Sequence, residues 1–236
     1  MGIVVVIAVL VLGGVLAFFG WKAEQKRRAA ILALAREIGW QFDPTHDRSH
    51  DEEYAHFEIF RKGHSRVAMN TLRGTVEVHG RACPAKMGDF RYKVTTHSKN
   101  GTRTHTYRFS YLIVDLPYLS MPDLLVRREG VFDKIAGVFG FDDIDFESVE
   151  FSRRFFVKSP DKRFAYDVID PRMMEFLLET APPCVDIEHA RVCLSDGRKR
   201  WEPAEFRSQF AWVSSFFDRW PEHVKSTLES LLTPTT

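Results

Sequence analysis

Residues 3–20 form an unbroken apolar run, and the first charged side chain is Lys22. A helix of about 20 residues rises roughly 30 Å, the thickness of a bilayer's hydrocarbon core, so the run predicts one transmembrane helix. No basic residue precedes it, and it ends in Phe18, Phe19 and Trp21. That is unlike a secretory signal, with its basic start and small-residue cleavage site; Trp21 suits the interfacial belt. Beyond the run the apolar spacing becomes helical. Ile31, Leu34, Ala35 and Ile38 predict a juxtamembrane helix over 22–40, stopped at Gly39. The polar stretch 42–53 reads as a surface loop.

Short strands are expected at 57–60, 66–72 and 75–78, separated by Gly63 and Gly74. A hairpin is expected over 88–115. Centring its turn on Asn100-Gly101, the favoured pair where both positions need positive φ, sets Phe90 opposite Tyr111, Tyr92 opposite Phe109 and Val94 opposite Tyr107. Three aromatic or β-branched pairs then share one face, an arrangement that a one-residue slip would destroy.

After Leu116-Pro117 the pattern mixes. Residues 122–129 read as a strand, 131–140 as a short helix and 141–158 as one or two strands. Ser159-Pro160-Asp161 reads as a type I turn. Phe164, Tyr166 and Val168 alternate as in a strand, and the run is short enough to be helical. Asp170-Pro171 opens a helix over 172–180. Residues 185–187 and 191–194 form a hairpin that matches Val185 with Leu194 and sets Cys193 opposite Asp186. A helix over 203–220 turns Phe206, Phe210, Val213 and Phe217 inward. Trp212, Phe216 and Trp220 widen its stripe, as in a helix packed on a sheet. A last helix after Pro221 buries Val224, Leu228 and Leu231. Strands followed by mixed strands and helices give an α+β fold of mainly antiparallel sheet with packed helices. The divisions are an anchor over 1–21, the juxtamembrane helix over 22–40 and a soluble domain over 41–236, with a candidate sub-boundary near 117–125.

Charge adds orientation. Lys22, Lys26, Arg27 and Arg28 follow the span against one acid, Glu24. Basic residues flanking a span are held on the cytoplasmic side, which places the N-terminus outside and the domain in the cytoplasm. Three cysteines, odd in number, do not make a disulfide framework. On a cytoplasmic domain the sequon Asn100-Gly101-Thr102 is a chance match. The net charge of +1 gives no pull toward nucleic acid.

Local charge is more suggestive. Arg91, Lys93, Lys99, Arg103 and Arg108 sit on the hairpin, where residues 90–114 hold no acid, and the expected register sets Lys93 against Arg108. Like charges directly across a ladder repel. One reading is a surface for anionic headgroups beside the anchor, or for a membrane-associated protein. The other is a solvated face, or pairing with the acids at 142, 143, 145, 147 and 150. That acidic run lacks the glycine and terminal glutamate of a calcium loop. His46, His50 and His56 lie among acids in a hydrated loop without metal-ligand spacing. Cys184 and Cys193 read as small packing residues. Nucleophile elbow, P-loop and dinucleotide fingerprint are all missing, so no catalytic, metal or cofactor residue is assigned.

The stretch PDLLVRREGVFDKIAG, followed by FDDIDFESVEFSRRFFVKSPDKRFAYDVIDPRMMEFLLE, resembles a group of uncharacterised bacterial proteins. These have an N-terminal membrane span and a downstream domain of unknown function. The resemblance extends over most of 22–220 and implies a bacterial inner-membrane location, but no activity. The expectation is a membrane-anchored, non-catalytic binding or scaffolding module. The alternatives are a tethered hydrolase-like enzyme, with a site built from residues distant in sequence, and a structural component of an envelope assembly.

Overall fold

A computed structural model describes residues 2–99, 101–129 and 144–230, the side chains of 2–5 and 7–9 excepted. The domain is α+β. Its strands are β1 (Gln41–Asp43), β2 (His64–Val78), β3 (Arg81–Ser98), β4 (Gly101–Asp115), β5 (Leu124–Arg128), β6 (Phe155–Lys158), β7 (Val185–Glu188) and β8 (Arg191–Leu194). They form one eight-stranded sheet in the order β1-β2-β3-β4-β8-β7-β5-β6, antiparallel throughout. The sheet runs unbroken across both sides of 117–125, so that segment joins two strands of the same sheet.

The helices are α1 (Gly2–Ile38), α2 (His50–Glu53), α3 (Glu58–Arg61), α4 (Val149–Arg154), α5 (Lys162–Val168), α6 (Pro171–Thr180), α7 (Pro203–Asp218) and α8 (Glu222–Glu229). One apolar cluster joins Ile31 and Leu34 of α1, Met87 and Leu112 of the sheet, and Phe206, Val213 and Phe217 of α7. A smaller one joins Phe57 and Phe60 to Phe90, Phe109 and Tyr111. Side chains alternate across a strand, and the pairings Met87↔Leu112 and Phe90↔Phe109 put these clusters on opposite faces.

Several expectations change. Residues 57–60 are not a strand; α3 takes up most of them, and Phe57 and Phe60 both point into the smaller cluster. The strands expected at 66–72 and 75–78 are one strand, β2. Gly74 is a notch, not a break: a Cβ there would lie 2.4 Å from the Trp40 ring. The stretch after Ile144 forms α4 before β6, because Ser148 accepts a hydrogen bond from Phe151 N–H and starts a helix. Asp161 does the same for Phe164 N–H, which settles 162–168 as helix. The expected helix over 131–140, together with Asn100 and Leu231, lies outside the described residues.

The hairpin closes on Ser98 and Gly101, one residue earlier than expected. Phe90 therefore pairs with Phe109, Tyr92 with Tyr107 and Val94 with His105. Moving a partner by two residues keeps every side chain on its face, so alternation fits both registers. Ring pairs still fill the face, with Phe90–Phe109 centroids at 5.3 Å and Tyr92–Tyr107 at 5.0 Å. The Val185↔Leu194 and Asp186↔Cys193 pairings occur as expected, as do the Asp170 cap on α6 and the burial of Phe216 in α7 and of Trp220 just after it.

α1 is gripped by the sheet through one polar knot. Arg27 donates to both Asp89 oxygens, at 2.7 and 2.6 Å, and to the Trp201 carbonyl at 2.9 Å. Asn70 and Ser110 also donate to Asp89, at 3.1 and 2.7 Å. Asn70 reaches it from a bulge in β2 at φ 52. One turn earlier on α1, Glu24 accepts from Asn70 and Arg200. At the other end of the grip Trp40 covers Gly74, level with Ala85. From residue 40 to residue 24, α1 thus moves along β3 from Ala85 to Asp89, directed toward the β3–β4 tip.

Removing one partner of a buried ion pair strands the other charge, at a cost of about 3–5 kcal/mol. The Arg27 and Asp89 side chains are only 9% and 1% exposed. In urea unfolding, Arg27→Ala should lose about that much, while Lys26→Ala and Arg28→Ala, on exposed positions, stay within about 0.5 kcal/mol of the parent.

Candidate functional site

The five hairpin cations do not share one face. Directly paired residues point the same way, and Arg91 pairs with Arg108 while Lys93 pairs with Thr106. The expected Lys93–Arg108 opposition is thus replaced by Arg91 against Arg108, through the same two-residue shift. Arg91, Lys93 and Arg108 lie on the α1 side of the hairpin with Asp89 and Ser110, while Lys99 falls in the turn beyond β3. Arg103 pairs with Thr96, on the Phe90–Phe109 face. Arg91 and Lys93 are half-buried, and Lys99, Arg103 and Arg108 are exposed. None of the five forms an ion pair among the described residues, and Arg91 Nε is buried without a hydrogen-bond partner there. Of the acids expected as partners, Asp142 and Asp143 lie outside the described residues and Glu150 pairs with Arg154.

The flanking cluster divides as well. Lys22, Lys26 and Arg28 are exposed on α1. Arg27 is not a free flanking charge: it points into the sheet, and although burial lowers its pKa, the hydrogen bonds and charge of Asp89, with the Glu202 and Glu24 charges, together keep it raised. Three readable signs mark it. It lies four residues before Ile31 and seven before Leu34, on the buried stripe, and Asp89 is the lone acid between Glu77 and Asp115.

The opposite face of β7 carries Asp186 and Glu188 in a cleft with Asp123, Lys158 and Ser159, of about 40 Å³. Burial pushes the Asp186 carboxyl up strongly, and Glu188, Asp123 and Glu58 add to it. Glu188 is pushed up to about 7 by burial, Asp123 and Glu58. Such a space holds a few waters at roughly 15 Å³ each, far below the several hundred Å³ of a substrate pocket. Burial likewise drives the Cys184 and Cys193 thiols upward, the reverse of an activated nucleophile. Among the described residues no cluster of His, Cys, Asp and Glu is arranged to hold a metal ion.

His50 was expected in a hydrated loop and is instead fully buried. Ser49 starts α2, and the ring packs among Tyr54, Phe60, Phe90 and Tyr111 at centroid distances of 4.5 to 5.5 Å. Burial and the nearby Lys86 ammonium lower its pKa to about 3. His50 is therefore a neutral aromatic of the smaller core. Sequence reasoning missed it because the polar residues around it, Asp47 and Glu53, serve to pair Lys86.

Two pH effects of opposite sign follow. The folded chain keeps His50 neutral, so stability is complete above pH 6.5 and falls as pH drops toward 3. His50→Phe should flatten that slope in urea titrations. Glu188 holds in the folded state a proton that the unfolded chain releases; its contribution is full below pH 4.5 and lost as pH rises to about 7. Glu188→Gln should stabilise the protein above pH 7 and make little difference below 4.5.

No protein-family model matches the chain, and no curated protein sequence matches it. A solved structure does. The chain aligns with the crystal structure of the mycobacterial trehalose monomycolate transport factor A, TtfA, at a TM-score of 0.50 and 12% sequence identity. The alignment covers 89% of this chain and 97% of that one, and at such identity the likeness is one of fold.

Proposed function

We propose that this chain is a membrane-tethered, non-catalytic factor of the bacterial cell envelope, with the apolar half of α1 in the inner membrane and the α+β domain on its cytoplasmic side. One observation carries the reading. Domain contacts hold α1 only from about Glu24 onward, while Val6, Leu10, Val11, Leu12, Val15, Leu16, Phe18, Phe19 and Trp21 are 44–70% exposed. These residues lie all round the helix, and an apolar surface of that extent needs cover. Among the described residues no helix is long and apolar enough to cross a membrane; the described side chains start within the expected span, which begins at residue 3. Lys22, Lys26 and Arg28 remain exposed where such a span would leave the bilayer, and this supports the cytoplasmic placement.

A non-catalytic role is supported by the Cys184 and Cys193 thiols, which burial drives upward. It is also in keeping with a fold likeness to a protein described as a transport factor.

The test is flotation of the full chain with liposomes after an alkaline carbonate wash. The chain should stay with the lipid. Leu12→Arg with Leu16→Arg should release it, since each charge near a span's centre costs about 3 kcal/mol, and circular dichroism should show the domain still folded. A parent chain washed off the lipid would overturn the tether.

A further inference from the structure

The geometry points to a second membrane contact: the α1 side of the β3–β4 hairpin, through Arg91, Lys93 and Arg108, docks on the anionic headgroups of the leaflet from which α1 emerges. This rests on the membrane-tethered reading and adds an interaction surface to it.

The direction of α1 brings the two together. The helix meets the sheet at Asp89 and Ser110 and continues toward the hairpin tip, so helix and hairpin leave the knot toward the same side. Nine residues of β3 follow Asp89, ending at Ser98, a reach of roughly 30 Å. From Leu10 to Trp21 the side chains of the helix stay exposed, so the hairpin does not pack along them and instead diverges. A hairpin splayed from an emerging helix runs beside the headgroup layer. Its face toward the helix is the one with the cations, and it joins the exposed Lys22, Lys26 and Arg28 in one basic surface.

The electrostatics call for an anion there. Arg91 and Arg108 are direct cross-strand partners, a repulsive arrangement. Neither has an acid partner among the described residues, and Arg91 Nε makes no hydrogen bond there. The last acid on this face, Asp89, is saturated by Arg27, Asn70 and Ser110. Phosphate oxygens can supply several acceptors to such a pair of guanidinium groups. A basic residue near an anionic leaflet gains about fivefold in apparent affinity, equivalent to about 1 kcal/mol.

The experiment places a nitroxide at Thr106→Cys in the full chain, on the face shared with Lys93; the native cysteines are buried. Accessibility to a water-soluble nickel chelate is read in bilayers of phosphatidylcholine alone and with about 30% phosphatidylglycerol, an anionic surface. Flotation of the same samples reports the tether separately. Accessibility should fall severalfold in the anionic bilayer. It should recover between about 0.1 and about 1 M salt, as screening shortens from about 10 to about 3 Å. It should also recover in Lys93→Glu with Arg108→Glu, a pair that spares the half-buried Arg91, while Arg103→Glu on the opposite face changes little. A tethered chain whose label is equally accessible in both bilayers overturns the docking and leaves the tether standing. Docking weakened as much by Arg103→Glu overturns the assigned face. A chain that does not float removes both readings.

Discussion

Asp89 lies beneath α1 on the central strand pair, with its side chain almost closed to solvent. A carboxylate there is tolerable because four donors saturate it: two N–H groups of Arg27, the Asn70 amide and the Ser110 hydroxyl. Those donors come from α1, β2 and β4. Ser110 Oγ in turn accepts from Trp201 N–H, and Lys199 O accepts from Ser110 N–H, which seats the segment leading into α7. The polar knot thus orders elements far apart in the chain. Apolar packing of Ile31, Leu34 and Ala35 holds α1 to the sheet; the knot decides at which height and rotation. Buried ion pairs contribute little net stability compared with apolar substitutes, so its value lies in register.

The two faces of the sheet do different work. The α1 face carries most of the apolar packing, with α7 laid alongside and started by the reciprocal bonds of Glu202 and Glu205. The other face is short of cover. Two small helices close it over the hairpin, and the aromatic cluster there accepts an imidazole as one more ring. Over β7 the same face gathers Asp186 and Glu188, whose carboxyls burial and neighbouring acids push upward, in a space fit for water. These features stabilise a fold.

Much of this was legible in the chain. Alternation located both hairpins, Asp170-Pro171 marked a helix start, and the aromatic stripe of α7 declared a packed helix. The legible parts share a strong local signal that tertiary structure reinforces. The register of β3 and β4 was not legible, because two registers leave the same side chains on the same faces. α2 and α3 were missed since four-residue helices have no period to read. Gly74 looked like punctuation because the ring that needs its missing Cβ lies in a distant segment. Arg27 was hidden by its neighbours: in a run of three cations, the one with a structural partner is told apart by its helical phase and by the lone acid at Asp89.

The continuity of α1 has a mechanical consequence. From Gly2 to Ile38 the helix has no break, a rod of about 55 Å whose C-terminal half is built into the sheet. No swivel separates the two halves, so whatever environment clasps the apolar end also sets the attitude of the domain. A lean of about 20°, ordinary for helices in bilayers, would swing the far end of a 15-residue strand such as β2 through roughly 15 Å. On the tethered reading proposed for α1, a change in bilayer thickness or in a neighbouring helix would thereby be magnified at the opposite end of the protein, as by the long arm of a lever.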